Sequence, residues 1–218
     1  MGRGTSVGVK EKKMKILITA GPTREYIDPV RFISNPSTGR MGYLIAGGCV
    51  RKGHKVVLIS GHTHLEIPPG VKCIRVETAE EMKKAVLKYF PQSDILVMSA
   101  AVSDWRPAIK AKEKIKRKKE WKLKLVPNPD ILKEVAKIKK KNQKVIGFAL
   151  ETKDILKNAR RKLKKKNVDL IVANTTSFFG KGSPSEVVFI FKDGKAKKFK
   201  RIKKEDVAEK IISFLNIL

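Results

Sequence analysis

The chain has 218 residues, with 50 Lys plus Arg against 21 Asp plus Glu, and a formal net charge of +29. Hydrophobic residues make up 41%, with 15 Gly and 10 Pro, which fits one globular domain with a sizeable core and excludes a disordered chain. No apolar run approaches the roughly 18 residues of a membrane-spanning helix.

Residues 1–13 are Gly-rich and basic and lack the apolar core of a secretory signal, so they are expected to form a flexible tail or linker remnant. Residues 14–218 are expected to form a single domain. Lys15–Ala20 reads as a buried strand, followed by the turn Gly21-Pro22-Thr23. The polar stretch Arg31–Gly42, RFISNPSTGRMG, leads into a helix that starts near Thr38, continues through Tyr43–Arg51 and is capped by Gly53. Lys55–Ser60 is a second strand, Gly61–Gly70 a loop, and Lys72–Val76 a third strand. Thr78 caps a helix with Glu80 and Glu81 in its first turn and Met82, Ala85, Val86 and Tyr89 on one face. Asp94–Ser99 is a fourth strand. Apolar strands alternating with amphipathic helices imply a parallel sheet covered on both faces.

The rhythm breaks in Ala101–Lys119, which is polar, basic and weakly periodic. Trp121–Val126 alternates like a pairing strand, and Pro129 opens a helix to about Lys141. Lys144–Leu150 is a fifth core strand, Asp154–Lys166 a basic helix with Ile155, Leu156, Ala159 and Leu163 as its stripe, and Val168–Ala173 a sixth strand. Glu186–Phe191, the turn Asp193-Gly194 and Lys195–Lys200 read as a β-hairpin, and Glu205–Leu218 as an amphipathic helix.

Ligands of such sheets bind beyond the carboxyl ends of the strands. The loop Asn35–Gly42 sits there, at a helix start whose unpaired N–H groups suit a phosphate or carboxylate. Gly39 and Gly42 permit close approach of a ligand or a neighbouring strand. Ser37 and Thr38 can cap the helix or donate to a phosphate. Asp104, Lys114, Lys162 and Lys166 lie in or near other such loops and suggest triphosphate chemistry aided by a metal. Each also has a plain structural role open to it: a turn cap for Asp104, a solvated loop for the Lys114 run, a solvated helix face for Lys162 and Lys166, and core for Phe148. The P-loop string GxxxxGK[ST] is absent, the stretch lacks the first Gly of GxGxxG, and no Tyr-x-x-x-Lys pair follows Tyr26, Tyr43 or Tyr89. These absences demote hydride transfer by a Rossmann oxidoreductase to an alternative. The charge of +29 keeps a basic nucleic-acid-binding protein as another. Cys49 and Cys73 have no CxxC partner and point to a reducing, cytoplasmic setting, and His62 and His64 read as a surface turn rather than a metal site.

Seven segments in order carry a resemblance: ITAGPTRE (Ile18–Glu25), DPVRFISNPSTGRMG (Asp28–Gly42), AAVSDWRP (Ala100–Pro107), EKIK (Glu113–Lys116), NPDIL (Asn128–Leu132), GFALET (Gly147–Thr152) and KKKNVDLIVAN (Lys164–Asn174). Together they resemble the phosphopantothenoylcysteine synthetases, or phosphopantothenate–cysteine ligases. In bacteria these are often the C-terminal half of a fusion with a flavin-dependent decarboxylase, a half that nothing in this chain resembles. The resemblance implies an α/β, Rossmann-like three-layer fold with a mostly parallel sheet, a β-hairpin and a flap loop, in a homodimer. It also implies a coenzyme A biosynthesis reaction. The carboxylate of 4'-phosphopantothenate attacks the α-phosphate of CTP, with Mg2+ or Mn2+ present. Pyrophosphate leaves, and L-cysteine then displaces CMP from the acyl-cytidylate. CTP is favoured over ATP because Asp104, Lys162 and Lys166 resemble the CTP-using members. By the same resemblance, Asn35 holds the acyl-cytidylate and Lys114, from a mobile flap, stabilises charge at the reacting phosphate. Ser37, Gly39 and Gly42 cradle the triphosphate. Asp104, Asn128, Pro129, Asp130, Ile131, Phe148, Lys162 and Lys166 bind the nucleotide. Ala100 and Ala101 lie along the pantothenate arm, and Arg31 takes the 4'-phosphate across the dimer. Trp105 and Ser103 depart from the family's usual Tyr and Ala. No membrane partner and no specific nucleic acid are implied, and the resemblance assigns no metal ligands either way.

Overall fold

The structure, a computed structural model, describes residues 12–117, 119–150, 155–174 and 185–218. The expectations for residues 1–11, for the start of the basic helix at Asp154 and for the loops 151–154 and 175–184 lie outside these residues.

One eight-stranded sheet forms, apolar in its central strands and basic at the β12 edge: β1 (Lys15–Ala20), β4 (Lys55–Ser60), β5 (Lys72–Arg75), β6 (Ile95–Met98), β9 (Lys144–Leu150), β10 (Leu170–Asn174), β11 (Ser185–Phe191) and β12 (Ala196–Ile202). Their order across the sheet is β12-β11-β10-β9-β6-β1-β4-β5. The six strands from β10 to β5 are parallel, and β11 and β12 add an antiparallel hairpin at one edge. The chain passes from β1 outward through β4 to β5, then returns to the other side of β1 with β6. The strand direction of travel therefore reverses between β1 and β6, and a crevice opens above their carboxyl ends.

Alternation along β1 sends Ile16, Ile18 and Ala20 to one face and Leu17 to the other. The first face is covered by α1 (Arg40–Arg51) and α5 (Lys204–Phe214), the second by α2 (Ala79–Tyr89), α3 (Ile131–Ile138) and α4 (Ile155–Lys165). Each fully buried Ile or Leu contributes about 1.5–3 kcal/mol by leaving water. Cys49 of α1 is fully buried, and burial pushes its thiol up to about 12.

Two small sheets lie beside this core: β2 (Arg24–Tyr26) with β3 (Phe32–Ser34), and β7 (Trp105–Pro107) with β8 (Leu125–Pro127). They correct the sequence reading. The strand expected over Trp121–Val126 is confined to Leu125–Pro127, and its partner lies in a stretch that shows little periodicity. The helix expected from Pro129 to about Lys141 runs only from Ile131 to Ile138: Asp130 caps its start by accepting from Lys133 N at 3.1 Å, and the backbone turns extended at Lys139. The cap of α1 is also corrected. Gly39 takes the cap position at φ 78°, while Ser37 and Thr38 bond the N–H groups of Gly39 and Arg40 at 3.3 and 3.4 Å.

Candidate functional site

The turn after β1 and the loop after β6 meet above the crevice. Ala101 N donates to Gly21 O at 2.9 Å, and Pro22 bridges Ala101. Thr19 and Thr23 lock the second loop: Ala100 N donates to Thr19 Oγ1 at 3.2 Å and Ser103 N to Thr23 Oγ1 at 2.9 Å. These bonds hold the backbone of Ala100–Ser103 extended along the wall of a cleft of about 1020 Å3.

Asn35 to Met41 form a second wall, the Pro127–Leu132 turn a third, and Phe148, Leu150, Lys162 and Lys166 close the far side. Asn35 Nδ2 lies 3.2 Å from Ala101 O and 3.3 Å from Val102 O, so its amide spans from the first wall to the second. Gly39 is required where it stands. Its φ is positive, and a Cβ there would meet Gly21 Cα and N at 3.2 Å. Gly42 lies below the cleft, where a Cβ would come within 2.5 Å of Ala20 Cβ and 2.7 Å of Ser99 Oγ. Its role in the fold is to let α1 pack on β1.

The Asn128 amide donates to Ser103 O at 2.9 Å, and its backbone N–H to Asp104 O at 2.8 Å, so the turn before α3 is tied to the β6 loop. Asp130 pairs with Lys166 while it caps α3. Burial lowers the basicity of Lys166, and the Asp104 carboxylate raises it again. Lys162 Nζ donates to Phe148 O at 3.1 Å. Phe148 is half-buried, lining the cleft while packing on the core. Ser103 Oγ is buried in the cleft wall with no hydrogen-bond partner among the described residues.

Thirteen of the residues singled out from the sequence thus line one cleft: Asn35, Ser37, Gly39, Ala100, Ala101, Asp104, Asn128, Pro129, Asp130, Ile131, Phe148, Lys162 and Lys166. Arg31 and Lys114 do not. They line a separate hollow of about 590 Å3 with Ile115, Lys116, Arg117 and Trp121. There the Arg31 guanidinium pairs with Asp28 and lies over the Trp121 ring, 5.2 Å from its centroid.

Sequence reasoning missed Arg40 and Lys204, which also line the cleft. Each is the first residue of its helix, where the macrodipole disfavours a cation. Burial lowers the basicity of Lys204, and the neighbouring Arg40 lowers it further. Arg40 pairs with Glu205, whose carboxylate also raises the basicity of Lys204, so this corner of the cleft holds two cations beside one carboxylate. The available signal was Lys203-Lys204 placed directly before the acidic first turn Glu205-Asp206. Among the described residues, no group of three His, Cys, Asp or Glu is set to hold a metal ion.

A family model for the DNA/pantothenate metabolism flavoprotein C-terminal domain matches residues 11–217. The chain belongs to this family. It is 42% identical over 207 residues to the coenzyme A biosynthesis bifunctional protein CoaBC of Borreliella burgdorferi, covering 94% of this chain and 53% of that protein. It is 45% identical over 202 residues to CoaBC of Bacillus subtilis, covering 90% and 50%. The chain therefore spans about half the length of the curated relatives it matches. The crystal structure of the C-terminal domain of a CoaBC protein superposes with a TM-score of 0.80 at 38% identity, covering 94% of each chain. The Rossmann-like fold with a mostly parallel sheet that the seven motifs imply is thus the fold found, and no helix among the described residues is long and apolar enough to cross a membrane.

Proposed function

We propose that the chain is a phosphopantothenate–cysteine ligase that forms 4'-phosphopantothenoyl-L-cysteine from 4'-phosphopantothenate and L-cysteine at the expense of CTP. One observation carries the reading: residues from five separate segments, marked by family motifs, converge on a single cleft at the strand-order reversal.

The chemistry follows from charge and leaving-group arguments. A carboxylate is a poor acyl donor, so its oxygen first attacks the α-phosphate of CTP and pyrophosphate leaves. The resulting acyl-cytidylate is a mixed anhydride. The cysteine amine attacks its acyl carbon, CMP departs, and the amine proton is lost. Both steps gather negative charge, which favours fixed donors and cations. Asn35 supplies an amide to hold the acyl-cytidylate. The start of α1, with Ser37 and Gly39, faces the triphosphate, with Gly42 supporting it from below. Phe148, Asp104, the Asn128–Ile131 turn, Lys162 and Lys166 take the nucleotide, and Ala100 and Ala101 line the pantothenate arm. The orphaned Ser103 hydroxyl gives this wall one more donor for a bound molecule.

Mg2+ or Mn2+ would enter with the nucleotide and neutralise polyphosphate charge. Such ions use one or two carboxylates plus phosphates. Asp130 is committed to Lys166 and to its cap, which leaves Asp104 as the cleft carboxylate fitted to assist. The assembly is proposed to be a cytoplasmic homodimer. Val30, Phe32, Trp105, Ile109 and Trp121 are 40–83% exposed and come from two adjoining segments, an apolar face suited to a second copy. The Arg31 hollow borders that face, which fits Arg31 taking the 4'-phosphate across the dimer, with Lys114 stabilising the reacting phosphate. The test is to incubate the chain with 4'-phosphopantothenate, L-cysteine, Mg2+ and CTP and to follow the products by mass spectrometry. Formation of 4'-phosphopantothenoyl-L-cysteine and CMP in equal amounts is expected; a folded dimer that makes neither with CTP or ATP contradicts the reading.

A further inference from the structure

Asp28 has a buried carboxylate outside the cleft, and its bonding is unusually complete. Its side chain is fully buried, a costly position for a charge unless it is paired and hydrogen-bonded. Oδ1 accepts from Val30 N at 2.9 Å and Arg31 N at 2.8 Å. Oδ2 accepts from Arg31 Nε at 2.9 Å and Nη2 at 2.5 Å, and also from Ile115 N at 3.1 Å. Arg31 Nη2 donates in turn to Ile115 O at 2.8 Å. The ion pair therefore reads both backbone groups of Ile115, the residue next to Lys114. Among the described residues, these are the only hydrogen bonds made by the backbone from residue 112 to residue 117. The segment that carries Lys114 is anchored to the rest of the fold through Asp28 and Arg31.

The hollow around this anchor holds Arg31, Lys114, Lys116 and Arg117 and no carboxylate on its lining. Among the described residues, Arg31 bonds through Nε and Nη2, which leaves Nη1 for a ligand. A guanidinium held by a carboxylate on one edge presents its other edge in a fixed direction, the arrangement that suits a phosphate.

From this we infer that Asp28 is a positioning residue: it makes Arg31 and the Lys114 segment one unit, so that a phosphate gripped by Arg31 sets the position of Lys114. The inference rests on the reading above of Arg31 as the group that takes the 4'-phosphate. It adds that the phosphate, far from the reacting carboxyl, also readies the cation for the chemical step. Substrate without that phosphate binds without readying Lys114. Binding energy from a remote group is then spent at the reacting centre.

The experiment is amide hydrogen exchange on the full chain, read at Ile115, with 4'-phosphopantothenate or with pantothenate. Protection of Ile115 by about tenfold is expected with the phosphorylated compound only. Asp28→Asn is expected to abolish that protection and to lower kcat by about a hundredfold, with CTP affinity unchanged. A loop staple without this role would give the same exchange at Ile115 with either compound. The wild-type exchange result stands even if Asp28→Asn does not fold. Phosphopantothenate-dependent pyrophosphate release with an unaffected Ile115 amide overturns this inference alone. Absence of both release and protection overturns the ligase reading and the inference with it.

Discussion

At Asp28 the residue scale sets both stability and pH dependence. The Arg31 guanidinium and three backbone N–H groups hold its carboxyl well below the usual carboxylate range. A folded-state value below the unfolded one means that the unfolded chain binds more protons in acid, so stability rises with pH. The contribution is complete above the unfolded value, about 4, and is lost as pH falls toward the folded one. Asp28→Asn is therefore expected to lower the melting temperature at pH 7, with the gap from wild type narrowing below about pH 4. Thermal unfolding followed by circular dichroism across pH checks this; a gap that is constant with pH contradicts it. The sequence marked Arg31 through its motif, but Asp28 lay in the same motif without a chemical role. Its partner Ile115 is 87 positions away, a pairing that no local pattern reveals.

At the scale of elements, α1 depends on a close approach to β1 and β6. Gly42→Ala puts a methyl group 2.5 Å from Ala20 Cβ and 3.0 Å from Thr19 O, neither of which is a flexible chain end. Helix propensity favours Ala, but overpacking costs about 1–3 kcal/mol and wins. The expected outcome is a destabilised protein in urea unfolding; a stabilised one contradicts the packing role. The long periodic elements were legible because burial and period agree. Lys15–Ala20, Lys55–Ser60 and Lys144–Leu150 are strands at the residues where they were expected, and Thr78 caps α2 by accepting from Glu81 N. The β7–β8 pair was not legible. Each strand has three residues, and the pairing is fixed by contacts such as Arg106 Nη1 to Pro127 O at 2.6 Å rather than by an apolar stripe. The start of α1 was legible to within a turn, but Gly39 in the left-handed region displaced the expected Ser or Thr cap.

On the scale of the whole molecule, the strand order explains why motifs far apart in sequence meet. The reversal between β1 and β6 brings the Asn35 loop to the Ala100 loop, β9 adds Phe148, and α4 with the residue after it adds Lys162 and Lys166. The site was legible as a set of loops, but its division into a cleft and a hollow was not, since sequence order does not tell that Arg31 and Lys114 share one lining. The charge of +29 has a structural share: edge strand β12 carries Lys197, Lys198, Lys200 and Arg201, and such charges block strand pairing with other chains. In the proposed reaction, phosphopantothenate is activated on the nucleotide before cysteine reacts. The direct measurement is pyrophosphate release from CTP or ATP, with 4'-phosphopantothenate and Mg2+ present and cysteine withheld, for wild type and Asn35→Asp. Release that requires 4'-phosphopantothenate and prefers CTP, with the variant leaking the acyl-cytidylate, is the predicted result. Release that occurs only after cysteine is added, or that ignores 4'-phosphopantothenate, would contradict the account.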